Sequence, residues 1–146
     1  MIGEFNGEYS FLSNFYECDV EFEGKLYPSA EHAFQAAKST DPAVRAKIAS
    51  KPTPGQAKRS GRRVELRPDW DYIKDAVMEE VVRDKFKRNE NLRFRLLETG
   101  DQELIEGNRW NDQYWGVDIN KNRGQNRLGK ILMKIRKELR PSSYPS

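Results

Sequence analysis

One cysteine and one histidine are all that these 146 residues offer to redox and soft-metal chemistry. A single thiol, Cys18, excludes an internal disulfide and points to a reducing compartment. With His32 as the lone imidazole, a structural zinc site cannot be assembled. No apolar run approaches the roughly 20 residues that span a bilayer. The opening MIGEFNGEYS carries neither the basic nor the apolar part of a secretion signal. Internal repeats are absent too. The expectation is a cytoplasmic chain that works without a metal, a cofactor or a membrane.

What is there belongs to a folded protein. Hydrophobic residues make up 36% and include 3 Trp, 6 Tyr and 7 Phe, more than a disordered charged chain carries. The length fits one domain with its own core. We assign it to 1–140, with 141–146 (PSSYPS) as a flexible tail. The net charge is a mild +3, but KRSGRR (58–63) packs four basic residues into six. Such a run is either a solvated turn or a phosphate contact for a nucleotide or nucleic-acid backbone. Charge alone leaves both open.

Alternation in CDVEFEGKLYP predicts strands over 19–22 and 25–27 joined by a Glu23-Gly24 turn. Ser29 is a natural cap for a helix over 30–39. Helices over 42–50 and 54–60 follow, the second with Thr53 as cap, Pro54 in its first turn and Gly61 as its stop. The longest starts at Asp69, with Trp70, Ile73, Val77, Val81 and Phe86 in a 3.6-residue stripe. Further helices are predicted over 91–99 and 124–139, separated by short extended pieces between 103 and 118. The fold class is α+β: an α-rich domain of about six helices with a small sheet.

Within YPSAEHAFQAAK, helical spacing puts Glu31, Gln35 and Lys38 on one side, while Ala33, Phe34 and Ala37 take the core side. The residue three after Ser29 is His32, so Glu31 is not the partner in a capping box. A surface Glu/Lys pair and an active site both satisfy the spacing. In FLSNFYE, Asn14 either caps a turn or offers its amide to a ligand, with Phe15 as an apolar wall. ELIEGNRWNDQYWGVD sets Glu106 and Asp112 among Trp110 and Trp115 in a glycine-containing loop with Gly116. Packed tryptophans would explain it. So would an aromatic plane for a nucleobase or sugar, with carboxylates for hydroxyls. GQNRLGKILMKIR begins a helix with glycine, where an anion can approach.

FLSNFY, YPSAEHAFQAAK, the tryptophan of RPDW, LLETGDQELIEGNRWNDQYWG and GQNRLGKILMKIR together resemble the NADAR family of YbiA-like proteins, in order and spacing, from about residue 4 to 139. Ser29 and Ala30 depart from the family's usual pair, and the stretch 108–111 with its extra tryptophan is individual. The resemblance implies an N-glycosidase acting on ribosyl–nitrogen bonds. Its substrate would be ADP-ribosylated guanine in a nucleotide or nucleic acid. Small phosphorylated ribosides, the phosphoribosyl-aminopyrimidine intermediates of riboflavin synthesis, are the alternative. A module that binds ADP-ribose or NAD without turnover is a third reading.

On that resemblance Glu31 is the expected stabiliser of the cation that forms at C1, with Lys38 as a possible imine-forming amine and Asp112 as a further catalytic group. Asn14, Phe15, Gln35, Lys58, Arg62, Trp70, Glu106, Trp115, Gly116 and Asn126 are the expected substrate contacts. Lys58, Arg62 and the glycine-led helix start at Gly124 would hold phosphates. His32 points about 100° from Glu31 and is read as structural.

Overall fold

The Glu23-Gly24 dipeptide turns the chain back on itself with both residues at positive φ, 48° and 84°. That backbone matches the twist of a two-residue hairpin. The structure, a computed structural model that describes residues 1–141, accordingly pairs strands β1 (Glu17–Phe22) and β2 (Lys25–Ser29) antiparallel. Val20 and Phe22 on one strand and Tyr27 and Ser29 on the other are buried, the alternation that a ribbon covered on one face requires. Apart from Pro141, the expected tail lies outside the described residues.

The described chain divides into two compact units. Residues 14–89 form one of them. Here the hairpin runs straight into α1 (Ala30–Ala36), capped by the Ser29 hydroxyl, which accepts from His32 N. Asp41 caps α2 (Pro42–Ala49) and Thr53 caps α3 (Pro54–Gly61), each followed by a proline whose missing N–H costs nothing there. α4 (Trp70–Arg88) lays Trp70, Val77, Met78, Val81, Val82 and Phe86 inward, while Ile73 of the expected stripe is half-buried. It packs on β1, where Asp84 accepts from Glu21 N at 2.7 Å. α1 touches both strands and α2, α3 and α4. It is the hub of the unit.

The other unit joins 1–13 to the chain from 90 onward. A 3-10 helix, Gly7–Leu12, was not anticipated; its Phe11 ring lies under the Arg95 guanidinium at 4.2 Å. α5 (Glu90–Glu98) and α6 (Arg127–Leu139) pack together, with Leu92, Leu96, Leu128, Leu132 and Ile135 buried. Between them run β3 (Gly107–Asn108) and β4 (Val117–Asp118), a parallel pair of two residues each. Leu104, in the expected extended piece, bridges to Ile2. The chain is α+β, with six α-helices, the 3-10 helix and two two-stranded sheets among the described residues. None of these helices is long and apolar enough to cross a membrane.

Two helix boundaries differ from the sequence reading by three residues. α1 stops at Ala36 because the chain tightens: Lys38 N and Ser39 N bond three residues back, to Gln35 O and Ala36 O, both at 3.2 Å. α6 begins at Arg127, not 124, because Asn126 takes a left-handed conformation (φ 50°, ψ 41°).

Lys85, on α4, is 0% exposed, its ammonium 5.1 Å from the Phe86 ring centre and 5.7 Å from that of Tyr16. Burial pulls its pKa down to about 8, with the Cys18 thiolate working the other way. Between pH 8 and 10.5 the unfolded chain therefore keeps a proton that the folded one has lost, so Lys85 makes stability rise with pH across that window. Cys18 and Tyr27, whose pKa values burial raises, act in the opposite sense. Comparing wild type with Lys85→Met isolates the lysine. In urea unfolding, wild type should gain on the variant by up to about 3 kcal/mol as pH goes from 8 to 10.5. A difference that does not change with pH would contradict the burial.

Candidate active site

Every residue of α1 is buried, so its polar side chains are not a solvated face. At its N-terminal end the Asn14 carbonyl accepts from Glu31 N at 3.0 Å, satisfying one of the amides that a helix start leaves over. The Asn14 side-chain nitrogen lies 3.2 Å from Met78 Sδ. Glu31, 8% exposed, sits in the first turn, where the helix dipole favours a carboxylate. One turn on, Gln35 Nε2 donates to Glu31 Oε2 at 2.6 Å. The other amide atom, Gln35 Oε1, is buried with no hydrogen-bond partner. A buried acceptor left unbonded costs about 1–3 kcal/mol.

That amide lies against α3 at Gly61. A Cβ there would overlap Gln35 Oε1 and stand 2.7 Å from Gln35 Cδ. Gly61 is therefore not the left-handed stop expected of it: the helix cap that follows, Arg62, is right-handed at φ −68°. Its use is close approach between two helices.

Lys38 lies in the turn that closes α1, its carbonyl accepting from Arg67 N at 2.9 Å. Its ammonium has no hydrogen bond or ion pair to another described residue. Burial holds its pKa below the ordinary lysine value of 10.5; the Glu31 carboxylate opposes this, and Arg62 and Lys58 reinforce it. Lys58 lies over Phe15 at 5.7 Å, and that ring is 44% exposed. Phe34 of α1 meets buried Trp70 at 5.1 Å between ring centres, tilted by 58°. Asn14, Phe15, Glu31, Gln35, Lys38, Lys58, Arg62 and Trp70 thus all belong to the unit built around α1.

His32 is fully engaged elsewhere. Nε2 is 2.9 Å from Lys51 O, which can only accept, so the proton is on Nε2 and Nδ1 accepts from Ser29 Oγ at 2.6 Å. The imidazole ties α1 to the chain between α2 and α3. It holds structure.

Glu106, Asp112, Trp115, Gly116 and Asn126 lie in the other unit and largely bond to one another. Asp112 Oδ1 accepts from Tyr114 N at 3.1 Å and Trp115 N at 3.0 Å, so this carboxylate also shapes its loop. Asn108 Nδ2 donates to Glu106 Oε2 at 3.0 Å and to Asp112 O at 2.9 Å. Both ends of the Asn126 amide are engaged, by Glu106 N and Leu104 O at 2.9 Å each, so it holds the loop together. Trp115 stacks on Tyr114 at 4.8 Å, and the Arg127 guanidinium covers Tyr114 at 4.5 Å. A Cβ on Gly116 would overlap the Glu106 carboxylate. Gly124 is pressed on Gly116 and Val117, the latter 2.7 Å from where its Cβ would be, three residues before α6 starts. The expected anion site at a glycine-led helix start is not formed there.

The family model of the NADAR domain matches residues 3–140. The chain belongs to the NADAR family. It is 39% identical over 134 residues to "N-glycosidase YbiA" of Escherichia coli (strain K12), covering 90% of this chain and 82% of that protein. A "riboflavin biosynthesis protein" of Vibrio vulnificus (strain YJ016) is 41% identical over 133 residues, 90% of this chain but 36% of the relative. The solved NMR structure of E. coli YbiA superposes with a TM-score of 0.82 at 35% identity, covering 95% of this chain and 86% of that one.

Sequence spacing in this NADAR chain foretold neither the contact of Gly61 with Gln35 nor the complete burial of α1. A glycine flanked by KRS and RR reads as a helix end. Only the invisible partner helix gives it another use. Gly61→Ala is expected to destabilise by about 1–3 kcal/mol through overpacking. In urea unfolding, combining it with Gln35→Ala should cost less than the two single changes added together. Simple additivity would mean that the two positions do not touch.

Proposed function

We propose that this chain is an N-glycosidase that removes ADP-ribose from ADP-ribosylated guanine, with Glu31 and Lys38 as its reacting groups. The observation that carries the reading is a buried carboxylate, held by Gln35, acting electrostatically on an amine that has no ion-pair partner and whose pKa burial lowers. A surface salt bridge has neither property. The names of the relatives, N-glycosidases among them, agree with the activity.

The chemistry follows from where charge develops. As the C1–N bond lengthens, positive charge grows on C1 and the ring oxygen, and an ionised Glu31 beside it lowers the barrier. Lys38 extends this. If the ribose ring opens, the ring oxygen takes a proton and C1 becomes an iminium carbon still bonded to guanine nitrogen. Neutral Lys38 adds its lone pair to C1. The C1–N bond to guanine then breaks, the electron pair and a proton leave with the base, and an imine joins C1 to Nζ. Water adds to that imine, restoring the amine and releasing the sugar at the aldehyde level, free to close again.

Lys58 and Arg62, which have no acid partner among the described residues, lie close enough to act on the Lys38 charge. Two cations beside the amine fit the paired charges of a diphosphate, which favours ADP-ribose over a monophosphorylated riboside. Phe15 and the Phe34–Trp70 pair offer apolar walls. The riboflavin reading keeps one specific support, the name of the Vibrio relative.

The test compares wild type, Glu31→Gln and Lys38→Ala on ADP-ribosyl-guanosine and on the phosphoribosyl-aminopyrimidine, with borohydride present. Wild type should turn over the guanosine substrate faster and yield a reduced sugar adduct on Lys38. Both variants should lose about 100-fold or more in kcat while staying folded. Since the free amine reacts, wild-type rate should rise with pH through the lowered Lys38 pKa. Full activity in Lys38→Ala with no adduct would remove the imine step. Faster turnover of the aminopyrimidine would move the function to that substrate, and binding of ADP-ribose without turnover would make the chain a recognition module.

A further inference from the structure

The KRSGRR run has a second edge that the candidate site does not use. Lys58 and Arg62, four residues apart, face the Lys38 side of α3. Arg59 and Arg63, also four apart, stand about 100° further round the helix. They line a different feature: a cleft of about 750 Å³ enclosed by α2, α3 and the 62–69 segment, into which Lys47 and Lys51 also face. None of these four cations has an ion-pair partner among the described residues.

The acids of the lining do not cancel them. Asp69 is bound to Arg67 at 2.7 Å. Asp41 caps α2 through Ala43 N. Glu65 is exposed on the rim. Five basic groups therefore face three acidic ones around the cleft, and the four unpaired ones are spread over α2 (Lys47), the chain between α2 and α3 (Lys51), α3 (Arg59) and the segment just after it (Arg63). Uncompensated like charges repel one another and raise the free energy of the folded chain, and an anionic ligand relieves that. No aromatic residue lines the cleft, so it has no plane on which a base can stack. Its apolar contribution comes from aliphatic side chains such as Val44 and Leu66.

We propose that this cleft binds the phosphodiester backbone of single-stranded nucleic acid, without reading its bases. Cations along an open cleft suit successive phosphates of one strand. A free mononucleotide, whose base would find no stacking partner, is the poorer fit, and a duplex is too wide for a cleft between two helices. The inference rests on the cleft alone and does not depend on the glycosidase reading. In combination they would let one helix, α3, face a strand on one edge and the reacting groups on the other.

The experiment uses fluorescein-labelled oligothymidylate of 12 nucleotides, which contains no guanine and so is no substrate. Anisotropy on the full chain, at 20 to 200 mM NaCl, gives affinity and its salt slope. Arg59→Gln/Arg63→Gln is expected to weaken binding at least tenfold at 50 mM salt. It should lower the slope of log K against log salt by about 1.4, two contacts at about 0.7 each. Lys47→Gln/Lys51→Gln should do the same; Lys47, Arg59 and Arg63 are exposed and Lys51 half-buried, and the changes should leave thermal unfolding in place. Unchanged affinity and slope in both variants would overturn the proposal. So would thymidine monophosphate that competes as well as the 12-mer at equal concentration.

Discussion

A carboxylate on a helix with no exposed face has to be given a donor, and that need organises the unit around α1. Glu31 receives its hydrogen bond from Gln35 one turn away, because a buried charge without partners is too costly to keep. The amide that supplies it is bulky, and its far end meets α3. Only glycine at 61 lets the two helices approach so closely. Once α3 is seated there, its basic residues have their places set. Lys58 and Arg62 bear on the Lys38 amine, and Arg59 and Arg63 turn away toward the cleft. His32 fastens the same helix to the Lys51 carbonyl and to the Ser29 hydroxyl, with both ring nitrogens engaged. The acid of the site is thus held by Gln35, and the helix that carries it by Gly61 and His32.

The electrostatics of Lys38 are a contest with a definite winner. Glu31 favours the ammonium, but burial and the two neighbouring cations favour the free amine, and the net shift is downward. A lysine arranged in this way can serve as a nucleophile nearer to neutral pH than an ordinary one. Lys85 shows the same physics without the site. It is buried more completely and shifted further, yet it lies beneath aromatic rings of Tyr16 and Phe86. A lowered lysine pKa is therefore no sign of catalysis alone. At Lys38 the Glu31 carboxylate acts on the amine as well.

Local patterns were readable where local rules decide. Ser29 and Thr53 cap their helices as their side chains dictate, and the Glu23-Gly24 turn makes its hairpin. The apolar stripe of α4 followed from periodicity. Long-range contacts were not readable in that way. Spacing placed Glu31 and Lys38 on one side of a helix but could not tell a surface pair from a buried one, since α1 is covered by elements distant in sequence. The loop of 106–116 looked reactive because it is rich in acids and tryptophan. Asp112 and Asn108 bond to its own backbone, and Asn108 also to the Glu106 carboxylate. Gly124 looked like a helix start, and it became a packing point because Asn126 turns left-handed before α6. Composition marks such residues as unusual; only the contacts show whether a ligand or the loop itself uses them.

The account stands on the coupling between Glu31 and Lys38, and that coupling is open to direct titration. Wild-type protein with carbon-13 at lysine Cε, the Lys38 resonance being assigned by its loss in Lys38→Ala, should titrate by NMR below the ordinary 10.5. In Glu31→Gln, where the opposing carboxylate charge is gone, the midpoint should fall further. An ordinary lysine titration in wild type that does not move in Glu31→Gln would contradict the account.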